Sequence, residues 1–336
     1  ALEPNNAHVI AGVVDIAHRV GNTEMAIRHL QHALELIPGD RTLRRYLAVD
    51  LGNIRKYDDA LALFEPLINE EPGDHLARIA RVQMLQERGT MQEALPDTTA
   101  LLALQPDDKV YQYYHQLAQG QVPPHVPVEL TTRMFDDMAK VYDKHMVRNL
   151  SYRLPKQVAD QLLEIFPTRR FNLLDLGCGT GLVGVYLGPI EGAIIGVDLS
   201  QPMLEQAAKH NIYTKFYQTN VLDALSETPA AHYEAITCTD VLIYVGDLTP
   251  VIPNALRILK PGGTFIFSCE AAAEDEADLV LRSPSNRYAH KASAVERLCR
   301  EAGFDEVVVE ALPALRMEGG QPLPGFLVTA HKPLNA

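Results

Sequence analysis

In the first third of the chain apolar residues recur at helical intervals, as in Leu30, Ala33, Leu34 and Ile37, the pattern of helices with one face turned to a core. From Phe171 onward the pattern changes to short apolar runs separated by amphipathic helical stretches. Phe171 to Leu176, Ala193 to Val197, Thr214 to Gln218, Ala235 to Thr239, Thr264 to Cys269, Glu306 to Ala311 and Phe326 to His331 are the predicted strands. Strands alternating with helices predict an α/β fold: a doubly wound, mostly parallel seven-stranded sheet covered on both faces. Such sheets bind ligands beyond the carboxyl ends of their strands. Between the two patterns, Val122-Pro-Pro-His-Val-Pro-Val-Glu129 holds three prolines in eight residues, which predicts a stiff, extended connection. The chain therefore reads as an all-α domain over 1–122, a proline-rich linker over 123–130 and an α/β domain over 131–336.

The helical part repeats. Pro38, Pro72 and Pro106 are 34 residues apart, and so are Ala26, Ala60 and Ala94. Each proline precedes a turn signal, Gly39-Asp40, Gly73-Asp74 or Asp107-Asp108, so each unit is a helix hairpin. This resembles the tetratricopeptide repeat: alanines at the helix crossing, Gly21 and Gly89 between helices, Tyr57 and Phe64 as packing aromatics. Three repeats over residues 7 to 108 and a capping helix from Lys109 to Gln119 complete the expected solenoid. Arg55 stands where the second repeat would carry its inter-helix glycine, and Pro66 and Pro96 fall inside expected second helices, predicting kinks. Stacked hairpins leave a concave groove, and two uses stand open: a site for a protein partner, or self-association or a cover over an enzyme.

At the end of the first predicted strand is Leu173-Leu-Asp-Leu-Gly-Cys-Gly-Thr-Gly181, followed by a helical run. Glycines at 177, 179 and 181 let a ligand approach the backbone. The spacing departs from the dinucleotide fingerprint, whose third glycine would occupy position 182, here Leu, and Asp175 suits a ligand bearing an ammonium better than a phosphate. The second strand ends at Asp198, seventeen residues after Gly181, where a carboxylate can accept two ribose hydroxyls. The later strands end at Asn220 and at Asp240.

This ordered set resembles the class I S-adenosylmethionine-dependent methyltransferases over residues 131–336. The resemblance implies that Asp175, Gly177, Cys178, Gly179 and Gly181 form the loop around the methionine moiety of S-adenosylmethionine. It places Asp198 and Leu199 on the ribose, Met203 on the adenine face, Asn220 and the Val221 amide on the adenine edge, with Asp223 as a neighbouring alternative, and Asp240 at the end of strand four. Thr132 to Met146, with Phe135, Met138, Ala139 and Tyr142 on one face, is similar to the N-terminal lid of small-molecule methyltransferases, and by that resemblance Tyr142 reaches the cofactor. With the repeats, the chain is similar to a bacterial group of repeat-containing methyltransferases.

Composition narrows the classes. The net charge of -13, from 30 Lys and Arg against 43 Asp and Glu, excludes a nucleic-acid binder driven by counterion release. No apolar run is long enough for a membrane span and no signal core opens the chain, so a soluble cytoplasmic protein is expected. Cys178, Cys238, Cys269 and Cys299 lack zinc-site spacing and read as reduced, buried thiols, and no metal is expected.

Methyl transfer from a sulfonium needs alignment and dryness, and an O–H, N–H or C–H acceptor also needs a base. His290, Tyr244 and His145 are the candidate catalytic residues, His290 first because it sits in a predicted loop after strand five. Tyr152, Arg287, Tyr288 and Arg316 are the candidate acceptor contacts; two arginines at the mouth would favour a carboxylate, and neither there a neutral or protein acceptor. Three functions stay open: methylation of a small molecule, methylation of a protein or carrier-bound acceptor, and a scaffold that senses the cofactor without turnover.

Overall fold

The computed structural model describes residues 7–144, 146 and 152–335; His145 lies outside them. The chain separates into two compact units, Ala1–Pro123 with Ser283–Ser285, and Pro124–Arg282 with Asn286–Ala336.

The first unit is helical: α1 (Ala7–Arg19), α2 (Thr23–Leu36), α3 (Arg41–Asn53), α4 (Tyr57–Glu70), α5 (His75–Arg88), α6 (Leu95–Leu104) and α7 (Lys109–Ala118). Each helix packs on the next. The 34-residue period has three physical consequences. Ala26, Ala60 and Ala94 are fully buried. Asp40, Asp74 and Asp108 each accept the backbone N–H three residues on, at 2.9 Å, capping α3, α5 and α7. Gly21, Arg55 and Gly89 all adopt left-handed backbone, at φ 70°, 63° and 82°. Arg55 thus holds a conformation that costs an L-residue about 1–2 kcal/mol, partly offset by the smaller chain entropy that it gives up. Arg55→Gly is expected to stabilise the protein by about 0.5–1 kcal/mol, read as a higher urea midpoint at constant slope. Pro66 is inside α4, as expected, but Pro96 is not in a helix interior: a 3-10 turn, Met91–Ala94, precedes α6, and Pro96 lies in the first turn of α6, where its missing N–H removes no bond.

In the second unit, α8 (Val128–Met138) and α9 (Leu154–Ile165) precede a nine-stranded sheet. Its strands are β1 (Leu173–Leu176), β2 (Ile194–Asp198), β3 (Lys215–Gln218), β4 (Tyr233–Cys238), β5 (Leu259–Ala271), β6 (Leu279–Arg282), β7 (Arg287–His290), β8 (Glu306–Glu318) and β9 (Gln321–His331). They are ordered β3-β2-β1-β4-β5-β7-β6, with β9 antiparallel to β5 and β8 antiparallel to β9. The helices α10 (Leu182–Leu187), α11 (Gln201–Ala208), α12 (Val221–Glu227), α13 (Val251–Ile258) and α14 (Ala292–Ala302) lie between strands in sequence. All four residues of β1 are buried, and its alternation serves two cores: Leu174 and Leu176 join Val197, Ile236 and Phe265, while Leu173 joins Ile194, Ala235, Val158 and Leu162.

The seven-strand expectation is corrected to nine. The extra hairpin, β6 with β7, has strands of four residues each, too short to show a period. Arg287, Tyr288 and His290 therefore sit on a strand rather than on a loop. The proline-rich segment is pinned: the Val126 N–H donates to the Tyr244 carbonyl at 3.0 Å, and the Gly246 and Asp247 N–H groups donate to the Pro124 carbonyl at 2.8 and 2.9 Å. All four cysteines are free and buried. Among the described residues no helix is long and apolar enough to cross a membrane.

Candidate functional site

A cavity of about 350 Å³ opens beyond the carboxyl ends of β1, β2, β3 and β4. Of the residues singled out from sequence, Tyr142, Gly177, Gly179, Asp198, Leu199, Met203, Asn220, Val221, Asp240 and Tyr244 line it. Helix and strand ends from distant parts of the chain meet here because β1 is central, with β2 and β4 on either side.

The glycine loop shows why only glycine serves at two positions. Gly177 has φ +67°, and a Cβ there would lie 2.2 Å from Val241 Cγ2. Gly179 has φ +52°, and a Cβ would project into the space before Tyr142, whose ring is 3.9 Å away. The backbone at Gly179 is thus a cradle that a side chain would fill. Its N–H donates to Asp198 Oδ2 at 2.8 Å, and the Ser200 N–H donates to Asp198 Oδ1 at 2.9 Å. Asp198 therefore ties the glycine loop to the end of β2. Burial pushes its pKa up, and these backbone donors counter it. Thr180 in the loop donates to the Asp143 carboxylate from the segment after α8.

Asn220 caps α12: its Oδ1 accepts the Asp223 N–H at 2.8 Å, and its Nδ2 donates to the Asp223 carboxylate. Met203, almost fully buried, forms part of the wall. Phe135 stands edge-on to Tyr244 at 5.6 Å and to Tyr142 at 6.4 Å between ring centroids, an aromatic lining.

Other sequence candidates lie outside the cavity wall. Asp175 is turned into the sheet, where its carboxylate accepts from Tyr213 Oη at 2.6 Å and Thr237 Oγ1 at 2.7 Å. Burial pushes its pKa up to about 6, against those two hydroxyl donors, with the charge of Asp198 adding to the rise. Because its folded pKa lies above the ordinary value of 3.8, the folded chain holds an extra proton between the two values. That contribution is present at low pH and is lost as pH rises through 6, about 3 kcal/mol in all. Asp175→Asn is expected to flatten the fall in unfolding free energy across that window, measured in urea at both ends of it.

Gly181 packs under Tyr213 and Ala207, and the Cys178 thiol is buried, its pKa pushed up by that burial. Tyr152 and Tyr288 are core residues. His290, on β7, is also buried; its Nε2–H donates to the Gly246 carbonyl at 2.9 Å, and burial lowers its pKa. The loop expected at 290 is therefore a strand, and the ring expected as a base lies against the Gly246 carbonyl.

Of the two arginines expected as acceptor contacts, Arg316 is buried between Asp240 and Glu270 and Arg287, partly buried, pairs with Glu270 and Glu318, and neither is among the described residues lining the cavity. Asp240, at φ +57°, carries one end of this network to the cavity wall and donates its N–H to Ser268 Oγ at 2.8 Å. Burial pushes the Tyr244 phenol well up, so it is a proton donor at neutral pH rather than a base. Sequence reasoning missed the wall residues His125, Val126, Thr131, Thr239 and Val245, which reach the site through the pinned segment, α8 and the stretch after β4.

A protein-family model described as a methyltransferase domain matches residues 146–310. The ubiquinone biosynthesis O-methyltransferase of Methylococcus capsulatus is 32% identical over 98 residues, 28% of this chain and 41% of that protein. The enzyme of the same description from Hydrogenovibrio crunogenus is 28% identical over 151 residues, 40% of this chain and 61% of that one. The chain thus spans less than two thirds of these curated relatives. Among solved structures, the cyclase SpnF aligns with a TM-score of 0.53 at 18% identity, over 63% of this chain and 98% of that one, a likeness of fold. The open cradle at Gly179 and the tied Asp198 fit a ligand with an amino-acid end and a ribose. Over residues 146–310 the second unit is similar to the methyltransferase-domain family.

Proposed function

We propose that the protein transfers a methyl group from S-adenosylmethionine to a small-molecule acceptor. The observation that carries this reading is one cavity in which the glycine cradle, the Asp198 carboxylate, Met203 and an aromatic lining converge. The bound cofactor supplies an electrophilic methyl group on a sulfonium, displaced in a single step. Gly177 and Gly179 admit the methionine moiety, with Tyr142 facing it. Asp198 accepts the ribose hydroxyls, Leu199 and Met203 pack beside the adenine, and Asn220 with the Val221 N–H faces its edge. Phe135, Tyr142 and Tyr244 exclude water from the reacting end, which sharpens every charge interaction there. The Tyr244 hydroxyl, kept protonated by burial, orients the acceptor as a donor.

Helices α1 to α6 are read as three tetratricopeptide-like hairpins closed by α7. Support comes from the shared burial of Ala26, Ala60 and Ala94, the three aspartate caps and the three left-handed turns in one 34-residue register. Residues 1–122 form this domain, and the protein acts in the cytoplasm.

Calorimetric titration of the full chain with S-adenosylmethionine tests the reading: saturable binding at one site, with S-adenosylhomocysteine as a competitor, is expected. A folded protein that binds neither would refute it.

A further inference from the structure

The cavity divides along the strand order. Asp198 and Asn220, at the ends of β2 and β3, lie on one side of β1; Asp240, Tyr244 and Val245, which follow β4, lie on the other. In the methyltransferase reading above, on which this inference rests, the first side takes the cofactor and the second the acceptor. The second side has a wall from outside the sheet. His125 forms a β-bridge with Val245, and Val126 is hydrogen-bonded to Tyr244, so His125 is fixed over the β4 end and lines the cavity.

The chemistry of this side is distinctive. Val126, Thr131, Phe135, Tyr244 and Val245 make it mainly apolar and aromatic. No Lys or Arg is among the described residues lining the cavity. Arg287 and Arg316 are engaged by Glu270, Glu318 and Asp240. An anionic acceptor would lose its hydration here without gaining a counter-charge. A cationic one would find the Asp240 carboxylate already paired with Arg316. The aromatic wall and one imidazole remain. Tyr244 stays protonated and His290 is turned into the Gly246 carbonyl, so His125 is the one imidazole among the described lining residues.

We propose that the acceptor is an uncharged, largely apolar molecule bearing an O–H or N–H, and that His125 takes its proton. The acceptor lone pair forms the new bond to the methyl carbon, and the C–S bonding pair stays with sulfur. The acceptor proton ends on a ring nitrogen of His125, which is exposed and returns it to water.

The test uses the full chain saturated with S-adenosylhomocysteine and three probes on one ring: catechol, its carboxylate derivative protocatechuate and its amine derivative dopamine. Calorimetry is expected to show catechol binding about tenfold more tightly than protocatechuate and more tightly than dopamine. With S-adenosylmethionine and catechol, His125→Gln is expected to lower kcat about 100-fold while leaving the S-adenosylhomocysteine affinity and the melting temperature unchanged. Added imidazole restores turnover in His125→Ala, which a merely structural histidine would not allow. Tighter binding of either charged probe, no binding of catechol, or catechol bound without turnover overturns the inference. So does a His125→Gln variant with undiminished kcat. Failure of the wild-type protein to bind S-adenosylhomocysteine instead removes the methyltransferase reading beneath it.

Discussion

Asp198→Ala is expected to weaken S-adenosylmethionine binding by about 100-fold or more. The carboxylate has two tasks. It accepts the Gly179 and Ser200 N–H groups, which hold the glycine loop against the end of β2. In the proposed complex it also receives the ribose hydroxyls. A hydrogen bond to a charged group contributes about 1.5–3 kcal/mol, so losing two from the ligand alone accounts for the expected change. The loop then loses its tether as well, and two N–H groups must find water. Asp198→Asn separates the tasks: one amide oxygen still accepts, so binding should fall by about tenfold only. Titration calorimetry on both variants checks this, with circular dichroism to confirm folding. Wild-type affinity in the alanine variant would remove Asp198 from the ligand site.

Arg316→Ala is expected to cost about 3–5 kcal/mol of stability, because it strips the partner from buried carboxylates. Arg316 bridges Asp240 and Glu270, all three nearly excluded from solvent. Glu270 keeps Arg287, at 2.7 Å, so the loss falls mainly on Asp240, which keeps its N–H bond to Ser268 Oγ and the more distant charge of Arg287. Burial already pushes the Asp240 and Glu270 pKa values up, and Arg316 is the chief influence holding them down. Without it their folded pKa rises further above the unfolded value. The folded variant then binds more protons than the unfolded chain, so its stability falls as pH rises through that interval. The deficit relative to wild type should therefore be larger at about pH 8 than at about pH 5, measured by urea unfolding. An equal deficit at both would show that the arginine acts through packing rather than charge. Loss of Asp240 ionisation also reshapes the acceptor side of the cavity wall, so acceptor affinity should drop alongside stability.

Local chemistry was legible from the residues alone. The 34-residue register needed only a period, and its alanines, aspartates and left-handed turns each express a rule confined to a few neighbours. The glycine loop and the acid at the end of β2 were legible for the same reason: a left-handed turn and a strand end are short-range features. The tertiary structure decided which of those residues line the cavity. Asp175 follows the same motif, yet Tyr213 and Thr237, 38 and 62 residues away, draw it into the sheet. Arg316 meets Asp240 across 76 residues, and His125 meets Val245 through a bridge that no periodicity announces. Such contacts arise when strands pair and loops close over them, and their energy depends on burial that exists only after folding. The sequence by itself determined the repeat, the alternating α/β core and the cradle; the closed fold decided where charges are neutralised and which imidazole borders the cavity.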